Sequence, residues 1–131
     1  DREVICLNVV LEKTSKLKSD VRVYERGKEL FLSSLQLSIN EYTISSYLKF
    51  VNTHSPSPHL DALFVSENLV ARSWSPVRPN GVVTSMIMNT LSRHYSRSPS
   101  SDDEDVMVVT LSELLGALKD KREGVGGFNV M

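Results

Sequence analysis

A single cysteine, Cys6, in 131 residues leaves nothing for an intramolecular disulfide to form with. A small disulfide-stapled secreted scaffold is thereby excluded, and an intracellular setting, cytoplasmic or nuclear, is expected. No apolar run approaches the roughly 18–20 residues that cross a bilayer as a helix. Neither sign of charge dominates: 15 Lys and Arg stand against 16 Asp and Glu, a net charge of −1. Bulk charge therefore gives no warrant for nucleic acid or membrane, and only local patches could. No signal-peptide pattern opens the chain at Asp1-Arg2-Glu3, nor does an initiator methionine, as in a trimmed piece. No internal repeat is legible at a period of about 20–50 residues, so a repeat architecture is not expected.

Chemistry-bearing sets are also missing. The three histidines, His54, His59 and His94, lack metal-ligand spacing, and two prolines break the interval between the first two. No metal site and no cofactor are expected. Cys6 sits inside an apolar run, without the neighbouring cation or helix start that would activate a thiol. Gly124-Val125-Gly126-Gly127 lacks the lysine of a phosphate loop. Asp61 and Glu67 have no second group to form an acid/base pair. No catalytic constellation is visible, and the expectation is a protein that is not an enzyme.

What is present is an ordinary globular composition, 40% hydrophobic and 24% charged. It predicts one domain over residues 1–123 and a flexible tail over 124–131. Val4 to Leu11 is rich in branched residues and reads as a strand. Val21-Arg22-Val23-Tyr24 alternates with period two. Gly27 then supplies a tight turn, and Glu29 to Ser33 resumes β character, a hairpin. Ser38 to Glu41 fits a capping box, with Ile44, Tyr47, Leu48 and Val51 on one face of a helix over about 39–52. Pro58 after Ser57 favours a helix over 59–74, although two strands turning at 66–68 fit as well. Val83, Ile87, Thr90, Leu91 and His94 mark another helix. Residues 96–105 read as a flexible Ser, Pro and acidic loop, and Val106 to Val109 as a short buried strand. Thr110 to Glu113 fits a second capping box, before a helical face of Leu111, Leu114, Leu115 and Leu118. Gly124 would stop that helix. The fold class expected is α+β: an antiparallel sheet from the N-terminal meander and the 106–109 strand, with three or four helices.

Local charge and serine chemistry carry the functional expectations. Lys13, Lys16 and Lys18 cluster near the first loop, and residues 68–101 hold Arg72, Arg78, Arg93 and Arg97 with no acid. These seven are the candidate anion-binding residues, and Trp74, His94 and Tyr95 lie among the arginines, where aromatics could stack on bases. Ser98, Ser100 and Ser101, beside Pro99 and the 102–105 acids, are candidate phosphorylation sites. The leading expectation is a non-catalytic protein-interaction or assembly module. It would bind a protein partner or its own copies, tuned by phosphorylation of the loop. The alternative is a structural protein that binds nucleic acid or an anionic membrane surface, of the kind found in viral matrices and nucleocapsids.

Overall fold

Helical spacing is plainest from Glu41 to His54, and that segment is the centre of the fold. A computed structural model describes residues 2–97 and 101–130, with side chains described for 2–96 and 104–118. Ile44, Tyr47, Leu48 and Val51 line the buried side of a helix, α3 (Glu41–His54). Its start is set by Asn40 rather than Ser38. Asn40 Oδ1 accepts the Thr43 N–H at 2.9 Å, and Thr43 Oγ1 accepts the Asn40 N–H at 3.2 Å. Two helix-terminal donors are thus satisfied reciprocally. The other helices are α1 (Arg2–Thr14), α2 (Val21–Ser34), α4 (Pro58–Val70), α5 (Gly81–Arg97) and α6 (Ser101–Val130). No strand occurs among the described residues.

The helices form three successive hairpins, α1–α2, α3–α4 and α5–α6. Their first helices begin at Arg2, Glu41 and Gly81, close to 40 residues apart. α1, α3 and α5 pack side by side in one layer; α2 packs on α1 and α3, α4 on α3 and α5, and α6 on α4 and α5. This is the arrangement of stacked helical hairpins, in which each unit buries its apolar face only against its neighbours. A repeat unread in the sequence is therefore present in the structure. Its trace lies in the caps and buried positions. Asn80 accepts the Val83 N–H at 2.8 Å as Asn40 accepts that of Thr43. Tyr47 and Val51 match Ile87 and Leu91 at the same interval, all buried. Outward residues are unconstrained by packing and have no such match.

The expected antiparallel sheet does not exist. The N-terminal meander is α1 and α2, because its apolar residues satisfy a helix as well as a strand. Val4, Leu7, Asn8 and Leu11 are buried at i, i+3, i+4 and i+7. In α2 the buried set is Gly27, Phe31 and Ser34. The 106–109 strand is a turn of α6. Val106 and Met107 are half-buried, Thr110 and Leu114 are buried, and Val108 and Val109 face outward, which no alternating strand would give. The 110–113 capping box lies inside that helix, and of its leucine face only Leu114 is fully buried. Pro58 does begin α4, with Ala62, Val65 and Leu69 inward and Leu60 outward. Of the expected 96–105 loop, Ser96 and Arg97 close α5 and 101–105 open α6. Residues 98–100 lie outside the described residues. The backbone of α6 continues past Gly124 to Val130.

Aromatic side chains fill the space between α2 and α3. Phe31 stacks on Tyr47 with ring centroids 3.8 Å apart, and Trp74 meets Phe31 edge-on at 5.7 Å. Fully burying a ring such as Phe31 contributes up to about 3 kcal/mol. The Tyr47 hydroxyl is buried without a hydrogen bond, and burial holds its pKa well above the usual tyrosine range. Gly27 makes no turn: it is helical, and the Phe50 ring lies against it. Trp74 is delivered by the α4–α5 connection, which turns at Arg72 through a left-handed backbone (φ 59°). With Trp74 and Tyr95 both 9% exposed, neither is available to stack on a base.

Candidate functional site

Each helix of the α1–α3–α5 layer turns a pair of side chains outward, both polar in α1 and α3 and one of them polar in α5. In α1 and the residue after it, the pair is Glu12 and Ser15; in α3 it is Lys49 and Asn52; in α5 it is Met86 and Asn89. Within each pair the members are three residues apart, hence on one helical face. From helix to helix the pairs recur at a constant interval of 37 residues. Lys16 and Thr53 occupy the next position on that face, and Arg93 extends the α5 row. Together these side chains line one groove of about 410 Å³ crossing all three helices.

Cross-helix hydrogen bonds hold the rows in register. Lys49 Nζ lies 3.2 Å from both carboxylate oxygens of Glu12. Thr53 Oγ1 donates to the Ser15 carbonyl at 2.7 Å, and Thr90 Oγ1 donates to Asn52 Oδ1 at 3.0 Å. With its carbonyl engaged, Asn52 is left to donate through its amide nitrogen. Glu12 and Lys49 largely cancel each other. Lys16 and Arg93 are exposed, and neither has a carboxylate within ion-pair distance among the described residues. Apart from Met86, the groove is a row of hydrogen-bonding side chains with a cation near either end.

The structure brings together two of the seven expected anion-binding residues, Lys16 and Arg93. Lys13, in the last turn of α1, and Lys18, in the α1–α2 connection, are exposed nearby in sequence but do not line the groove. Arg72 and Arg78 belong to the α4–α5 connection and line no part of it. Arg97 closes α5, and its side chain lies outside the described residues. So do Ser98 and Ser100; Ser101 opens α6, and its side chain is likewise not described. Sequence reading missed Ser15, Lys49, Asn52 and Asn89. Only Asn52 and Asn89 repeat a residue type at the 37-residue interval, so the row becomes legible only once α1 is known to be a helix.

A second, apolar groove follows the seam between α1 and α2. Cys6, Leu7, Val10, Leu30 and Leu37 line one part of about 610 Å³. Val10 and Leu30 continue into the next part, where Val23, Gly27 and Phe50 join them. Cys6 is thus exposed on a helix and not a core residue of a strand. Across the molecule, α6 also shows apolar side chains to solvent at Val108, Leu111 and Leu115. Among the described residues no three His, Cys, Asp or Glu side chains gather to hold a metal. No described helix is long and apolar enough to cross a membrane. Comparison with protein families, curated proteins and solved structures produced no match.

Proposed function

We propose that the chain binds single-stranded RNA along the α1–α3–α5 face. The observation that carries this reading is the row of outward side chains, polar except for Met86, that fall 37 residues apart on adjacent helices. Packed helices lie about 8–10 Å apart, so each hairpin offers its pair to a different point along an extended strand. Helical-repeat readers of RNA use two or three side chains per repeat on one unstacked base. Amides and hydroxyls can read base edges, while Lys16 and Arg93 neutralise phosphates. Duplex nucleic acid is disfavoured, because its base edges are not presented to a shallow groove of this kind.

Anisotropy of labelled RNA oligonucleotides at low and moderate salt tests this. Single strands are expected to bind more tightly than the matching duplex. Asn52→Ala combined with Asn89→Ala should weaken binding about thirtyfold, taking each lost hydrogen bond as about 1 kcal/mol. The salt dependence should be unchanged in that variant. Lys16→Ala should instead lower the salt slope by about 0.7, the contribution of one phosphate contact on a single strand. Equal affinity for duplex, or a double variant that binds like the parent, would remove the reading.

The apolar seam supports a second reading, a module that binds copies of its own chain. The seam carries Arg2, Arg22 and Arg26 but also Glu3 and Asp20, and Arg22 and Arg26 are paired with Asp20 and Glu29 at 3.6 Å. The outward stripe of α6 has the i, i+3, i+7 spacing of a groove-binding helix and is flanked by Glu104, Asp105 and Glu113. Complementary apolar form makes α6 of a second copy the occupant this groove fits. Sedimentation should show concentration-dependent association that Leu30→Glu or Leu115→Glu abolishes. A parent chain that stays monomeric at high concentration excludes it.

A further inference from the structure

The odd-numbered helices α1, α3 and α5 share one register. Val4, Leu7 and Leu11 correspond at 40-residue intervals to Ile44, Tyr47 and Val51, and these to Thr84, Ile87 and Leu91; all are buried. A second stripe, again at i, i+3 and i+7, breaks the correspondence. In α3 it is Thr43, Ser46 and Phe50, all buried, and in α5 it is Val83, Met86 and Thr90, buried or half-buried. In α1 it is Glu3, Cys6 and Val10, and all three are exposed. The preceding hairpin makes the difference. Phe50 lies against Gly27 and Tyr24 of α2, and Thr90 hydrogen-bonds to Asn52 of α3 at 3.0 Å. Among the described residues α1 packs only on α2 and α3, which leaves its second stripe open.

The even-numbered helices show the matching gap. α2 packs on both α1 and α3, and α4 on both α3 and α5, so each lies between two odd-numbered helices. α6 packs on α5 and α4 but on no second odd-numbered helix. Its outward stripe of Val108, Leu111 and Leu115 has the same i, i+3, i+7 spacing.

We infer that α6 of a second copy covers the open flank of α1, and that copies join head to tail in an open-ended stack. The contact repeats between chains what α2 does on α3 and α4 on α5: an even-numbered helix lies on the second stripe of the next odd-numbered one. Leu7, Leu30 and Leu37 supply further apolar surface beside that stripe. The inference rests on the self-association reading and adds the form of the assembly. α1 and α6 belong to opposite ends of the α1–α3–α5 layer. A chain that has docked its α6 still presents a free α1, and its partner still presents a free α6. Two different surfaces meet, so the contact is heterologous and propagates instead of closing as a symmetric pair.

Sedimentation velocity of the whole chain and two variants tests this. Val10→Glu spoils the flank of α1 and leaves α6 intact; Leu115→Glu does the reverse. The native side chains are 45% and 50% exposed, and circular dichroism verifies that each variant keeps its helices. The parent should grow past two chains as its concentration rises. Each variant alone should stay monomeric to about tenfold higher concentration or beyond, since the contact would bury an unpaired carboxylate. Mixed one to one, the variants should form a dimer of one copy of each and stop there, because only one good contact is left between them. Cys6→Glu with Val108→Glu should reproduce this pattern from independent positions, should either first variant misfold. A parent that stops at two chains overturns the head-to-tail stack while the self-association reading stands. A parent that grows while the mixed variants stay monomeric overturns it as well. A parent that is monomeric at every concentration removes both.

Discussion

Alanine in place of Gly27 is expected to destabilise the protein by about 2–3 kcal/mol, even though alanine is the better helix former. A Cβ at Gly27 would overlap Phe50 Cζ and meet both Cε atoms within 2.8 Å. Aromatic rings often swing aside, but this one is confined. Phe50 is 1% exposed, with Tyr47, Tyr24 and His54 around it at centroid distances of 6.2, 6.5 and 5.1 Å. Relief requires α2 and α3 to separate, which would loosen the Phe31–Tyr47 stack between them. The gain in helix propensity is about 1 kcal/mol and is outweighed. Urea denaturation of Gly27→Ala, Phe50→Leu and the double variant forms the test. The leucine should relieve the clash, giving a coupling of about 1 kcal/mol or more between the two sites. A neutral or stabilised Gly27→Ala would show that the ring is free to move.

His54→Leu should cost about 2–3 kcal/mol and free the α1–α2 connection. The imidazole joins two backbone groups from different elements. Nδ1 accepts the Asp20 N–H at 3.0 Å, and Nε2 lies 2.7 Å from the Thr14 carbonyl oxygen. A backbone N–H can only donate and a carbonyl can only accept, so the ring is the neutral tautomer with its proton on Nε2. Leucine fills a similar volume but leaves both groups without a partner, each at about 1–3 kcal/mol if water does not reach it. Part of that is recovered, since both bonds are only partly buried. Thr53→Ala, which removes one hydroxyl from the Ser15 carbonyl, should cost about 1 kcal/mol and serves as the comparison. Hydrogen exchange at the Asp20 amide should accelerate strongly in His54→Leu and little in Thr53→Ala. An unchanged exchange rate would mean that His54 does not anchor this connection.

Both residues were read differently from sequence, and for related reasons. Gly27 followed a stretch that alternates with period two, so a turn glycine was the economical reading. Nothing in the sequence says that Phe50, 23 positions away, needs the space of its missing side chain. In the sequence His54 has no metal-ligand spacing and no legible role. Its use as a two-ended backbone bracket depends on Thr14 and Asp20 arriving beside it, which is a consequence of how α1 and α2 pack on α3. The arginines tell a similar story. Arg72 and Arg93 looked equivalent as members of an acid-free stretch, yet only Arg93 lies on the face where successive helices align.

The local sequence did determine the parts where a periodic face and a start signal coincide. Ile44 to Val51 and Val83 to Leu91 are helices because one side of each is apolar and Asn40 and Asn80 cap their first turns, while Pro58 opens α4 with one backbone donor fewer to satisfy. The helical nature of Val4 to Leu11 was decided by tertiary structure. A continuous branched run buries equally well as strand or helix, and β propensity favours the strand. α3 offers a helix-shaped surface for Val4, Leu7 and Leu11 and no strand edge to pair with, so packing overrides propensity. The same packing creates the polar row, because residues 37 apart become neighbours only when three helices lie side by side.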